Sequence, residues 1–175
     1  MKKLIVILAA AVMMTSFAAA QTATGTLTVT ATVNSSISLV FNSDAAGVAL
    51  SSGAGTNTAT LAFGNVSAFG PVAAGITRTV APGTSFTVST PVDVLVAKAN
   101  SASANYTLTA QLGTADAVNS WQVAGNTITS AAATTITATG AYGSNAAEAI
   151  ALTVPFTTAS GTNISNTIGF TATAN

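Results

Sequence analysis

The chain has no cysteine and no histidine, and charged residues make up 5% of it. Without cysteine there is no disulfide, no thiolate nucleophile and no thiol to carry a lipid. Without cysteine or histidine, zinc and copper lose their usual ligands. General acid–base catalysis recruits histidine or a close pair of carboxylates, and a nucleophilic serine or threonine needs a base beside it. The acids Asp44, Asp93, Asp116 and Glu148 are instead scattered along the chain. The expectation is a protein with no catalytic residue, no metal and no cofactor, and hence no enzyme. Basic residues are equally scarce, which excludes the cationic footprint of a nucleic-acid binder. No repeat is visible in the sequence, which argues against a β-helix, a propeller or a repeat-built amyloid.

What is present begins with an export signal. Lys2 and Lys3 precede an apolar run from Leu4 to Met14, and small residues close the segment at Ala18, Ala19 and Ala20. This order of basic, apolar and small residues marks Met1–Ala20 as a secretory signal peptide, with Gln21 as the expected mature N-terminus. No second apolar run is long enough for a membrane helix. A secreted protein without a membrane anchor is expected, extracellular or on the cell surface. Removal of the signal leaves Arg78 and Lys98 against the four acids, a net charge of −2. About 155 residues remain, enough for one domain that buries roughly 70% of its unfolded surface.

The dominant pattern has period two, which places successive side chains on opposite faces of a strand. In Thr26–Val33 the odd positions Leu27, Val29, Ala31 and Val33 are apolar and the even ones are threonine. The parity continues across Asn34-Ser35-Ser36 into Ile37, Leu39 and Phe41. Further faces are Ala59, Leu61 and Phe63; Phe86, Val88, Val92, Val94 and Val96; and Tyr106, Leu108, Ala110 and Leu112. Pro91 is expected to force an edge or a bulge into the second of these. Trp121 and Val123 lead through a Gly125-Asn126 turn to Ile128, and Thr134–Thr139 forms a weaker strand. Gly64–Gly83 reads as irregular, with turns at Gly70-Pro71 and Pro82-Gly83. Two strands close the chain, one carrying Ile150, Leu152, Val154 and Phe156 and the other Ile168, Phe170, Ala172 and Ala174. Roughly eight short strands without helical periodicity after the signal predict an all-β, antiparallel β-sandwich.

The polar residues read as structural. Asn42-Ser43-Asp44 offers oxygen ligands of the kind calcium takes, but an Asx turn accounts for it better. Arg78 and Lys98 read as solvated surface cations, and Tyr106 and Trp121 as core residues in preference to a sugar-stacking platform.

The stretch from Ile150 through Pro155, Gly161 and Asn163-Ile164 to Thr173 resembles the last two strands of spore-coat-U-like and archaic chaperone–usher pilin domains. Gly25–Val33, close behind the signal, resembles the donor strand of such pilins. The chain departs from the pattern in lacking a disulfide and in carrying Asn163-Ile164 where a closing-loop tyrosine is common. The resemblance implies an incomplete immunoglobulin-like sandwich lacking its final strand, completed by the N-terminal strand of a neighbouring subunit. It divides the chain into signal (1–20), donor strand (21–35) and sandwich (36–175). It also implies a homopolymer served by a periplasmic chaperone and an outer-membrane usher. The resulting expectation is a structural subunit of a pilus-like filament, in which Leu27, Val29, Ala31 and Val33 enter an acceptor groove beside Ile168, Phe170 and Ala172. An ordinary first strand paired within its own domain is the structural alternative for Thr26–Val33. A surface-coat lattice protein and a secreted adhesin with a self-complete sandwich are the functional ones.

Overall fold

A computed structural model describes residues 24–175. The expected signal peptide and the Gln21 terminus lie outside the described residues. The chain divides after Thr32 into two units, the second running Val33–Asn175. Residues 24–32 of the first unit form no regular structure and are exposed.

The second unit is all-β and antiparallel. Its strands are β1 (Ser36–Ser43), β2 (Thr77–Ala81), β3 (Ser85–Ala99), β4 (Tyr106–Leu112), β5 (Ser120–Val123), β6 (Asn126–Ile128), β7 (Thr134–Gly140), β8 (Asn145–Pro155) and β9 (Ile168–Ala174). One sheet has the order β1-β3-β8-β5-β6, with β2 also paired to β3, and the other has the order β7-β4-β9. The period-two pattern decides what lies between them. Even residues from Phe86 to Val96 of β3 and from Glu148 to Val154 of β8, and Tyr106, Leu108, Ala110 and Leu112 of β4, point inward and are buried, with Val94, Val96 and Leu108 at 0% exposure. Phe86, Val88, Trp121, Val123, Ile128 and Leu152 fill one part of the core, and Val94, Val96, Tyr106 and Leu108 the other. The two sheets therefore pack face to face as a β-sandwich.

Several sequence expectations are corrected. Pro91 makes no bulge and sits at a local edge: β3 runs fifteen residues, of which Ser85–Leu95 keep unbroken register against β8, Pro91 lying opposite Ala149. On its other side β3 meets β2 over Ser85–Ser89 and β1 over Val92–Ala99, so Thr90 and Pro91 fall in the gap between two partners. Ala149 turns its carbonyl to Ala124 N (2.8 Å), away from β3, which makes 91/149 a pair without ladder bonds and turns Pro91's missing donor toward the gap. Gly47 seals that gap, its backbone so close to the Pro91 carbonyl that a Cβ would stand 2.2 Å from the oxygen, while Val48 N donates to Thr90 Oγ1 (2.8 Å).

The second correction is that Ala59, Leu61 and Phe63 form no strand. They keep their alternation, with Leu61 and Phe63 packed on the core, but their pairing is reduced to an isolated bridge between Ser52 and Thr60. The region read as irregular contains β2, which Pro82-Gly83 turns back onto β3. Third, the β5–β6 turn sits one residue earlier than expected. Val123 pairs with Asn126, and both Ala124 (φ 50°) and Gly125 (φ 78°) are left-handed, as a two-residue type I′ hairpin loop requires.

Candidate functional site

Two features of the described chain stand open, a run of exposed apolar side chains and the outer edge of a sheet. β9 pairs with β4 on one side only. Gly113 N donates to Thr167 O (2.7 Å) and Asn175 N to Asn105 O (3.1 Å) at the two ends of this ladder. In an antiparallel pair the hydrogen-bonded positions recur every second residue. The odd residues of β9 therefore face β4, and Ile168, Phe170, Ala172 and Ala174 turn their N–H and C=O groups to the opposite side, where no described strand pairs with them. The same even residues point inward. Ile168 and Phe170 pack on the larger core cluster and Phe170 and Ala172 on the smaller, yet all three stay half-buried where the equivalent residues of β4 are fully buried.

A second open edge lies on the same flank. Phe41 of β1 donates to Thr56 O (2.8 Å) and accepts from Gly55 N (2.7 Å), so the odd residues of β1 face away from β3. Above that bridge Ile37 and Leu39 have no described strand partner on the outer side. Phe41 meets Phe170 edge-on across the sheets, with ring centroids 5.3 Å apart. The two edges thus lie on one flank and touch through Phe41 and Phe170, and along β9 the outward main-chain donors and acceptors have no partner among the described strands.

Ile168, Phe170 and Ala172 lie together on one strand and one face. The expected donor residues are a single exposed run: Leu27 is 88% exposed, Val29 80% and Val33 72%, and Ala31 is exposed as well.

Elsewhere the polar groups are engaged in holding the fold. Asp44 Oδ1 accepts from Ala46 N (2.7 Å), an Asx turn, and among the described residues no group of three or more acidic side chains could hold a metal. Arg78 is more than a solvated cation. Its guanidinium donates to Ser67 O (2.9 Å) and Gly70 O (2.8 Å) and clasps the loop that precedes β2. Lys98 Nζ donates to Ser103 O and lies over the Tyr142 ring. Tyr106 (1% exposed) and Trp121 (7%) belong to the core, so neither offers a stacking face. Asp116 accepts from Val118 N, Asn119 N, the Asn119 amide and Trp121 Nε1 (2.8 Å), a cap that pins the loop before β5. Burial pushes its carboxyl up, but these N–H donors outweigh burial and hold it at about 2. Sequence reasoning missed this cap, although Asp116-x-x-Asn119 is the spacing of such a turn. It also missed that β1 and β9 share a flank, which no local pattern carries.

No protein-family model, no curated protein and no solved structure matches this chain.

Proposed function

We propose that the chain is the structural subunit of an extracellular filament whose members are joined by strand donation. Segment 21–35 of one copy lies along the open edge of β9 in the next. The observation that carries this reading is the pairing of complements within one sequence. Ile168, Phe170 and Ala172 offer main-chain groups unpaired among the described strands, along a half-buried apolar row. Thr26–Val33 carries alternating apolar side chains that are exposed and without a strand partner in the described structure.

An open sheet edge is a template for another strand, and strand addition is a recurrent way of joining chains. Because the donated segment and the accepting edge are different surfaces, each copy gives one and receives one, and such heterologous contacts run on into a filament. Covering Leu27, Val29 and Val33 stabilises each joint by roughly 1.5–3 kcal/mol per side chain. A secreted subunit of this kind, shielded by a periplasmic chaperone and passed to an outer-membrane usher, needs no catalytic group, metal or cofactor.

The test is a deletion of residues 21–33 behind the export signal. The truncated subunit should fold, fail to form filaments in negative-stain micrographs, and take up a synthetic peptide of that sequence. Normal filaments from the truncated protein would refute the reading. So would a truncated protein that is unfolded alone and that the peptide restores only as a closed monomer.

A further inference from the structure

We infer that β7 is a strand gated by pH: the buried Glu148 of the facing sheet holds its middle shut while the acid keeps its proton, and β7 lifts from β4 as the acid gives the proton up. The inference goes beyond the filament reading and does not rest on it.

β7 is a weakly held edge. It pairs with β4 alone. Tyr106 stands opposite Gly140, Leu108 opposite Thr137, Thr109 opposite Thr135 and Ala110 opposite Thr134. Five residues of β4, 106–110, thus face the seven of β7, 134–140, and the register slips by one residue on each side of Thr137. Slips of this kind leave residues unpaired and interrupt the ladder. The two ends of β7 are tied. Tyr106 lies so close against Gly140 that a Cβ there would stand 2.2 Å from its ring, and Thr134 Oγ1 donates to Thr127 O (3.4 Å). The Ala138 carbonyl accepts from two side chains, Thr107 Oγ1 (3.0 Å) and Asn175 Nδ2 (3.1 Å). Thr137 stands alone between the slips, and there Glu148 reaches across from β8 to accept the Thr137 hydroxyl (3.3 Å).

The surroundings of Glu148 make that contact depend on a proton. The side chain is buried, and both cations of the described chain are engaged elsewhere: Arg78 clasps the loop before β2, and Lys98 is bonded to Ser103 O. From β3 the apolar Val92 lies beside it, and Asp93 turns to the outer face, where Asn145 holds it. From β7 comes the Thr137 hydroxyl. From β4 the facing titratable group is the Tyr106 phenol, with Tyr142 against it; burial pushes this phenol up, so it stays neutral. Burial without a counter-charge disfavours an ionised carboxyl. Glu148 is therefore neutral while enclosed and ionises where water reaches it, and β7, interrupted on both sides of Thr137, is the cover that can lift.

The sign follows from where the proton is held. Enclosed, the carboxyl lies above the usual range; under an open β7 it returns to about 4.3. The opening equilibrium should then climb about tenfold per pH unit above ~4.3 and level off once the enclosed acid itself ionises. Acid shuts β7, and rising pH loosens it.

Hydrogen exchange of the mature chain, followed from about pH 4 to about 9 and corrected for intrinsic rates, tests the gate. The amides of β7 should lose protection with that profile while the β3–β8 and β4–β9 ladders keep theirs. Glu148→Gln should make β7 protection independent of pH. Thr137→Val removes a bond that favours the ionised acid, so the levelling-off should move to higher pH. Protection of β7 that ignores pH in the wild type, or that falls equally in Glu148→Gln, would overturn the inference. Simultaneous loss along β3–β8 would also overturn it, since the event would then be global. A levelling-off unmoved by Thr137→Val would refute Thr137 as the point of closure.

Discussion

At the scale of single residues, Glu148 shows how a neutral fold carries a charge-bearing group. It is 6% exposed, points between the sheets from β8, and has one hydrogen-bond partner, the Thr137 hydroxyl on β7 at 3.3 Å. Burial pushes its carboxyl above the usual range, and the Thr137 bond pulls the other way without prevailing. An acid whose pKa is raised on folding binds its proton more tightly in the native state. Its contribution is therefore complete below the unfolded value, near 4.3, and is lost as pH rises through the raised native one. Glu148→Gln, which keeps the shape and removes the charge, should raise the melting temperature at pH 7 by roughly 2–4 °C, the shift that about 1 kcal/mol gives a domain of this size. The gap between variant and wild type should close near pH 4. An equal gap at both pH values would mean that the charge is not the cause. Nothing in the sequence around Glu148 distinguished it from a surface acid except its place on the inward parity of β8, which it shares with Ile150, Leu152 and Val154.

At the scale of elements, the central strand explains what became of the proline. An edge or a bulge at Pro91 is the reasonable expectation, because a proline inside a sheet leaves an acceptor unmatched. β3 avoids the loss by changing neighbours there, from β2 to β1, and by admitting Gly47 into the space between them. Gly47→Ala should therefore be costly although no left-handed backbone is involved. The Cβ would meet a backbone oxygen that cannot swing aside, push the 44–50 loop outward and break the bond from Val48 N to Thr90. A loss of about 1–3 kcal/mol is expected. Hydrogen exchange should show the Val48 amide unprotected while the β3–β8 ladder stays protected. Uniform loss of protection would mean that the gap is not a local feature. The same logic accounts for Ala59, Leu61 and Phe63: their alternation was legible because burial alone produces it, whereas a strand also needs a partner in register, and a sequence does not name partners.

At the scale of the molecule, the scarcity of titrating groups sets the response to acid. Acid unfolding comes mainly from carboxylates held ionised in the native state and from neutral histidines that must take up charge. There is no histidine. Glu148 is held above its usual range by burial, and Asp93 by burial and by the neighbouring Asp44 carboxylate. Both therefore favour the folded state as pH falls. Asp116, capped by N–H donors, is held low, so its contribution declines below the unfolded value near 3.9 and is gone once pH has fallen through about 2. Thermal melts should accordingly hold steady or rise from pH 7 to about 4 and fall between about pH 4 and 2, with no effect of reductant at any pH. An unfolding transition between about pH 5 and 4 would contradict this balance. The sequence by itself determined the all-β class, the inward parity of nearly every strand and the chemistry that is missing, because side-chain alternation and composition are local properties that each residue carries with it. The tertiary structure alone decided that β1 and β9 share one flank, that Pro91 lies between two partners and that Glu148 is enclosed. Each of these depends on which distant strands pair, and that is settled by the summed burial of a whole sheet.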